Sequence, residues 1–176
     1  MRNNVIRYNN STDNIPSNIK YYFYGSAINS TIEIQKSDEI EKAKGELILH
    51  VYDQNSKINI GKNLKIRGTV KIEVRGDNNY VHIGDNCLFA NDITILTTDY
   101  HRIYDKNGKL LNPQQPVVIE DNVWIARHVK ILKGSHISKN SAVGICSVVN
   151  KKFDKENILI AGIPAKIVRE GIYWKE

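Results

Sequence analysis

The sequence predicts an all-β chain coiled as a parallel β-helix, and three observations carry that prediction. An aliphatic residue returns at every sixth position from Ile119 through Ile125, Ile131, Ile137 and Val143 to Val149. The same step runs through Ile60, Ile66 and Ile72, and again through Ile83, Phe89 and Ile95. Four positions after most of these anchors stands a small or β-branched residue, as at Val70, Cys87, Ile93, Val123, Val129, Ser135, Ser141 and Ser147, with Leu64 and Asp99 as larger exceptions.

A period of six suits neither an amphipathic helix at 3.6 nor strand alternation at 2. It suits a prism of triangular cross-section in which each flat side is one short strand sending one anchor inward. Three sides close a coil, and the chain climbs roughly 4.8 Å per coil. Turn-tolerant residues fall where the corners should be: Gly61, Gly68, Gly84-Asp85-Asn86, Asp121-Asn122 and Lys139-Asn140. An unbroken run of anchors from Ile119 to Val149 sets the pattern apart from chance spacing in an ordinary sheet.

Taken in order, residues 1–57 carry strand-like runs (Tyr21 to Tyr24, Ile32 to Ile34, Leu47 to Tyr52) without the six-step. They are expected to form degenerate first coils that cap the open end. Residues 58–157 form the regular β-helix. Within it the step slips to eleven between Ile72 and Ile83, with Gly76-Asp77-Asn78-Asn79 as a corner loop. The frame survives from Ile95 to Ile119, yet residues 100–117 are polar and turn-rich and predict a protruding loop. Loops of that length in a regular solenoid are usually functional. Residues 158–176 carry a last strand, Ile158 to Gly162, and then a short C-terminal helix opened by Pro164 and closed by Gly171.

Composition narrows the function classes. The chain has 176 residues, one domain by length, and a formal net charge of +6. Its lysines and arginines are dispersed from Arg2 to Lys175 rather than clustered with aromatic residues, so no nucleic-acid partner is expected. No stretch approaches the roughly 20 apolar residues of a membrane span, and the polar start Met1-Arg2-Asn3-Asn4 points to the cytoplasm. The two cysteines, Cys87 and Cys146, have neither disulfide-framework nor metal spacing and are expected as small wall residues. No metal is expected.

Three segments resemble the hexapeptide-repeat acyltransferases: Asn122-Val123-Trp124-Ile125-Ala126, then Val143-Gly144-Ile145-Cys146-Ser147-Val148-Val149-Asn150-Lys151, then Ala161-Gly162-Ile163-Pro164-Ala165-Lys166. Their order and spacing look like the galactoside, maltose and xenobiotic acetyltransferase branch. Capsule polysaccharide O-acetyltransferases, including those acting on polysialic acid, share the signature. The resemblance covers residues 58 to 171 well and the first fifty poorly. It implies a left-handed coil, against the usual right-handed crossover, and a homotrimer with acetyl-CoA in grooves between neighbouring prisms. The family has Gly where Ala126 and Cys146 stand here, a small residue at Ile145 and Thr at Asn150, so this chain departs from it with bulkier groups along the pantetheine channel.

The implied activity moves an acetyl group from acetyl-CoA to a saccharide hydroxyl. That chemistry needs a base, and histidine suits it. Of five histidines, His50 lies in an N-terminal strand, and His82, His128 and His136 lie off the anchor positions. His101 opens the polar loop in Thr97-Thr98-Asp99-Tyr100-His101, where the family places its catalytic histidine. Asp99 is a candidate to orient it. Trp124 would overfill the prism and should project outward, at the trimer interface or with its indole N–H near the thioester. The resemblance carries CoA contacts onto Arg127, Ile145 (through its backbone), Asn150, Lys151, Lys166 and Arg169. Lys151 and Arg169 suit the 3′-phosphate as point charge and fork donor. N-acetylation of an amino sugar, xenobiotic acetylation, a zinc hydrase and a non-catalytic scaffold are the alternatives.

Overall fold

The computed structural model describes residues 2–176, so only Met1 lies outside it. The chain is a left-handed parallel β-helix of three walls. Strands are numbered along the chain. Wall A stacks β1 (Val5–Tyr8), β3 (Thr31–Ile34), β5 (Lys57–Ile60), β8 (Tyr80–Ile83), β11 (Val117–Ile119), β14 (His136–Ile137) and β17 (Lys152–Phe153). Wall B stacks β2 (Ile19–Phe23), β4 (Leu47–Val51), β7 (Val70–Val74), β10 (Ile93–Leu96), β13 (Lys130–Ile131) and β16 (Val148–Val149). Wall C stacks β6 (Lys65–Ile66), β9 (Leu88–Phe89), β12 (Trp124–Ile125), β15 (Ala142–Val143), β18 (Ile158–Gly162) and β19 (Ala165–Glu170).

The six-step anchors are all buried, and the strand register stacks them in three columns. Wall A lines up Ile34, Ile60, Ile83, Ile119, Ile137 and Phe153. Wall B lines up Leu49, Ile72, Ile95, Ile131 and Val149, and wall C lines up Ile66, Phe89, Ile125, Val143 and Ile160. Each column is one continuous apolar seam, so burial in one coil supports burial in the next. Tight corners demand positive φ, and asparagine supplies it at Asn63, Asn86, Asn122 and Asn140. The side chains stack as well: Asn63 Nδ2 donates to Asn86 Oδ1 at 3.0 Å, and Asn122 Nδ2 to Asn140 Oδ1 at 2.9 Å.

The N-terminal residues join the same prism through β1 to β4, with longer corners than the later coils. On one coil a short helix, α1 (Asp38–Lys42), occupies the side that strands of wall C take later. Ser37 caps it by accepting from the Ile40 N–H at 3.2 Å, and Ile40 is its buried contact with the core.

Two expectations need correction. The C-terminal helix over Pro164 to Gly171 is instead the strand β19, antiparallel to β18. Gly162, at φ 106, makes the turn, and the β-branched pair Ile167-Val168 suits a pleated edge better than a helix. Cys146 is not a wall residue but an exposed corner residue at φ 57, a backbone suited to the glycine of the resembling family. Cys87 is in the wall as expected, and burial pushes its thiol up to about 12. Among the described residues no helix is long and apolar enough to cross a membrane.

Close coil stacking makes one glycine a test of the fold. A Cβ on Gly45 would lie 2.2 Å from the Gly68 carbonyl oxygen, whereas one on Gly25 meets nothing within 4 Å. Gly45→Ala should therefore destabilise by about 1–3 kcal/mol, the usual cost of overpacking, and Gly25→Ala should melt close to the parent. Equal melting temperatures for the two variants would refute this stacking of Gly45 on Gly68.

Candidate active site

The chain turns from wall B to wall A at one corner of every coil, and that corner forms a ridge along the prism. Residues Tyr24, Tyr52 and Arg75 lie on it, then the loop after β10, then Lys133, and finally Asn150 and Lys151 after β16. His101 is therefore placed midway along a line that ends in the expected CoA residues Asn150 and Lys151.

The loop leaves the prism through buried Thr97. Its hydroxyl accepts from the Arg75 N–H at 2.9 Å and donates to the Arg75 carbonyl at 3.0 Å. Tyr100, at φ 65, folds back so that its hydroxyl donates to Glu73 Oε2 at 2.8 Å. Glu73 also pairs with Lys71 at 2.5 Å. Burial opposes its ionisation, but the hydrogen bonds from Lys71 and Tyr100 outweigh it and hold its pKa below the ordinary value. Burial and the neighbouring Glu73 carboxylate push the Tyr100 phenol up, so it stays a donor.

Asp99 and Asn112 staple the loop at its base. Asp99 accepts from Lys133 Nζ at 2.6 Å and from Asn112 Nδ2 at 3.0 Å, and Asn112 Nδ2 also donates to the His101 carbonyl at 2.8 Å. The Ile103 N–H donates to Asn112 Oδ1 at 2.6 Å, and Lys133 Nζ donates to the Pro113 carbonyl at 3.0 Å. This corrects the role expected of Asp99: its carboxylate holds the loop to the next coil and, among the described residues, makes no hydrogen bond with the His101 ring. His101 itself is exposed. Lys133 and Asn112 carried no sequence signal, because their partnership exists only once the coils stack.

Trp124 projects outward from wall C, 38% exposed, as expected. Its ring lies 6.4 Å from that of Trp174, whose indole N–H donates to the Asn122 carbonyl at 2.9 Å. Wall C is the side of the triangle opposite the ridge, so one chain does not bring His101 and Trp124 together. The remaining expected residues divide likewise. Arg127 and Ile145 stack at the corner between walls C and B, where the Cys146 N–H donates to the Arg127 carbonyl at 3.0 Å. Lys166 and Arg169 lie exposed on β19, opposite Ala161 and Leu159. Lys151 is exposed on the ridge with Nζ 5.3 Å from the Phe153 ring centroid.

The other histidines have local partners or surroundings. His128 Nδ1 meets Asp92 at 2.8 Å, and His136 lies between Glu120 at 2.7 Å and Asp154 at 2.6 Å. His50 packs among Tyr22, Tyr24 and Tyr52, and His82 is exposed on wall A. A cleft of about 370 Å³ beside the returning loop is lined by Tyr80, Pro116, Val118, His136 and Lys152, and touches neither His101 nor Trp124. Among the described residues no group of three or more His, Cys, Asp or Glu side chains is placed to hold a metal.

Fold and sequence meet in one class: the chain is homologous to the hexapeptide-repeat acetyltransferases. It is 36% identical over 121 residues to the galactoside O-acetyltransferase of Escherichia coli K12, covering 68% of this chain and 57% of that one. It is 32% identical over 144 residues to the polysialic acid O-acetyltransferase of Escherichia coli O1:K1, covering 81% of this chain and 44% of that one. The chain spans about half the length of the curated relatives it matches. The solved structure of the polysialic acid O-acetyltransferase OatWY superposes with a TM-score of 0.62 at 28% identity, covering 99% of this chain and 88% of that one. No protein-family model matches the sequence.

The Asp99–Lys133 staple is open to titration. The hydrogen bond from Lys133 holds the Asp99 pKa below its ordinary value. The tether is therefore complete above the ordinary carboxylate range and is lost as pH falls through the lowered value. Lys133→Met should raise the Asp99 pKa back toward the ordinary aspartate value, because the main hydrogen bond that lowers it is gone, read by carbon NMR of the side chain. An unmoved titration would refute the pairing.

Proposed function

We propose that the protein is a cytoplasmic transferase that moves an acetyl group from acetyl-CoA to a hydroxyl of a saccharide, at sites shared between neighbouring copies in a homotrimer. The observation that carries this is the placement of His101 at the foot of a stapled loop, midway along a ridge that leads to Lys151. The curated relatives named as sugar and polysaccharide O-acetyltransferases support the acceptor class.

Acetyl-CoA supplies the activated acyl group as a thioester. The chain's part is to place a hydroxyl against it and manage one proton. His101 takes the hydroxyl proton as the oxygen bonds to the acyl carbon, and returns it to the departing sulfur as the carbon–sulfur bond breaks. The products are an acetyl ester and a free thiol, and His101 ends as it began. The Tyr100–Glu73 bond and the Asp99–Lys133 pair fix the backbone before the base, and Asn112, bonded to the His101 carbonyl and the Ile103 N–H, fixes it after, which limits the entropy lost in reaching the reactive geometry. Lys151 would meet the 3′-phosphate as a point charge, with Lys166 and Arg169 on β19 offering further cationic contacts and Arg127, Ile145 and Asn150 lining the approach. Trp124 would complete the site from the neighbouring chain, its indole N–H toward the thioester.

His101→Ala should lower kcat by about 10² to 10⁴, the usual contribution of a positioned base, with little change in acetyl-CoA affinity. Full turnover in that variant would overturn the assignment.

Shared sites make a sharper demand. His101→Ala and Trp124→Ala chains should each be impaired alone and regain activity when co-assembled, because some grooves then receive both intact residues. No recovery, or a monomer by light scattering, would sink the interfacial site.

A further inference from the structure

On the N-terminal side of His101 the ridge carries a stack that the proposed chemistry has not used. The Tyr24 and Tyr52 rings lie parallel, with centroids 4.1 Å apart and planes 4° from one another. The Arg75 guanidinium carbon lies 3.7 Å over the other face of Tyr52 and 5.4 Å from the Tyr100 ring. His50 braces the stack from the side, with Nδ1 3.5 Å from the Tyr24 hydroxyl and 3.4 Å from that of Tyr52. These residues belong to successive coils, so the groups repeat at the strand spacing, and the run ends against Tyr100, the residue before His101.

The charge on this stack is uncompensated. Arg75 makes no salt bridge among the described residues, and its Nε is buried without a hydrogen-bond partner. The carboxylates on this stretch of the ridge are engaged elsewhere, Asp77 with Gln54 Nε2 at 3.1 Å. Glu73 holds Lys71 and Tyr100, and Asp53 accepts from Ser26 at 3.2 Å and from the Gly76 N–H at 2.7 Å. Stacking on Tyr52 covers a face of the guanidinium and Nε is buried, so the pair of terminal Nη groups, which make no hydrogen bond among the described residues, is the fork left for a ligand.

We propose that Tyr24, Tyr52 and Arg75 form the acceptor subsite of this transferase and that the acceptor is an acidic saccharide, its carboxylate on the Arg75 fork and its hydroxyls on the tyrosine phenols. This rests on the acetyl-transfer function proposed above. The chemistry is specific in three respects. A planar fork matches a carboxylate in bidentate fashion. Phenols on the edges of a fixed stack donate to and accept from sugar hydroxyls with little rotamer freedom left to lose. The stack also ends at the loop carrying the base, so a saccharide lying along it leads a hydroxyl toward His101 while the donor approaches from the Lys151 end.

The test is equilibrium binding without acetyl-CoA. The probes are short oligomers of galacturonate, glucuronate and sialic acid, with a neutral glucose oligomer of equal length for comparison. At least one acidic oligomer should bind the parent more tightly than the neutral one, and less tightly as salt is raised. Arg75→Gln should weaken that binding about tenfold or more, the scale of a charged hydrogen bond, while acetyl-CoA affinity holds. Arg75→Lys should recover only part, because it keeps the charge and loses the fork. Should Arg75→Gln melt well below the parent, Arg75→Lys and Tyr24→Phe carry the comparison, each expected to weaken acidic-oligomer binding. The proposal is overturned if no acidic oligomer is preferred, if these variants bind it as the parent does, or if Arg75→Gln changes the oligomeric state and so marks the stack as an interface between copies. Acetyl transfer to a saccharide that is indifferent to Arg75 would remove the subsite and leave the transferase. Arg75-dependent binding with no transfer to any saccharide would do the reverse.

Discussion

Everything in this molecule depends on one constraint: each coil must return its anchors to the same place above the coil before. Ile119 must sit over Ile83 and under Ile137, and Phe89, Ile125 and Val143 must do the same on their wall. The parallel backbone ladders and the apolar seams are then satisfied together, and neither tolerates slippage within a strand. Beyond the coil whose third side is α1, variation is confined to the corners. A corner can be tight, as at Asn122 and Asn140, where positive φ and an asparagine ladder hold it. It can also be drawn out, as in the segment after Thr97, provided the chain re-enters in register at Val117. The protruding loop is thus an elaboration that this architecture permits without breaking its core.

The same constraint explains what could be read from the sequence. Anchors that must point inward leave a strict six-step wherever corners are minimal, which is why residues from Ile119 to Val149 were legible at once. The first coils obey the identical stacking, with Ile34 under Ile60 and Leu49 under Ile72, but their longer corners and α1 break the spacing that would reveal it. The C-terminal segment misled for a different reason. Pro164 and Gly171 punctuate a hairpin strand as readily as a short helix, and pairing with β18, a tertiary fact, decides between them. His101 and Trp124 stood out through their setting, a polar interruption and an oversized residue in a small-residue position, and what that setting foretold, outward-facing side chains, is what the structure has. The role of Asp99 was not legible. Its adjacency to His101 in sequence suggested a pair, while its true partner, Lys133, comes into reach only when the next coil passes beneath the loop.

The interactions at the base of the loop show how a rigid solenoid holds an exposed group in place. Tyr100 donates inward to a carboxylate that Lys71 and burial between coils keep fixed, and Asp99 is tied to Lys133 one coil away. The two ties pull on either side of the backbone that leads into His101. Neither touches the imidazole, so the ring keeps its hydrogen-bonding capacity for a ligand. Isolated surface ion pairs contribute little to stability. Here their value is positional, because each fastens an irregular segment to regular strands whose places the apolar seams already determine.

A triangular prism also sets a geometric limit on what one chain can do. Its corners and walls look outward in different directions, and the ridge bearing His101 faces away from the wall bearing Trp124. Placing a second prism against the first removes that limit, since the ridge of one copy can lie along the wall of its neighbour. The groove so formed would run parallel to the prism axis and be marked off in strand spacings. In the proposed reaction that axis becomes a ruler. Lys151 lies toward one end, His101 in the middle, and the Tyr24–Tyr52–Arg75 stack toward the other. Donor and acceptor then approach the base from opposite directions along one line, and neither has to cross the space the other occupies. A fold built from translation along an axis is suited to that arrangement, because the distance between any two stations is fixed by the number of coils between them.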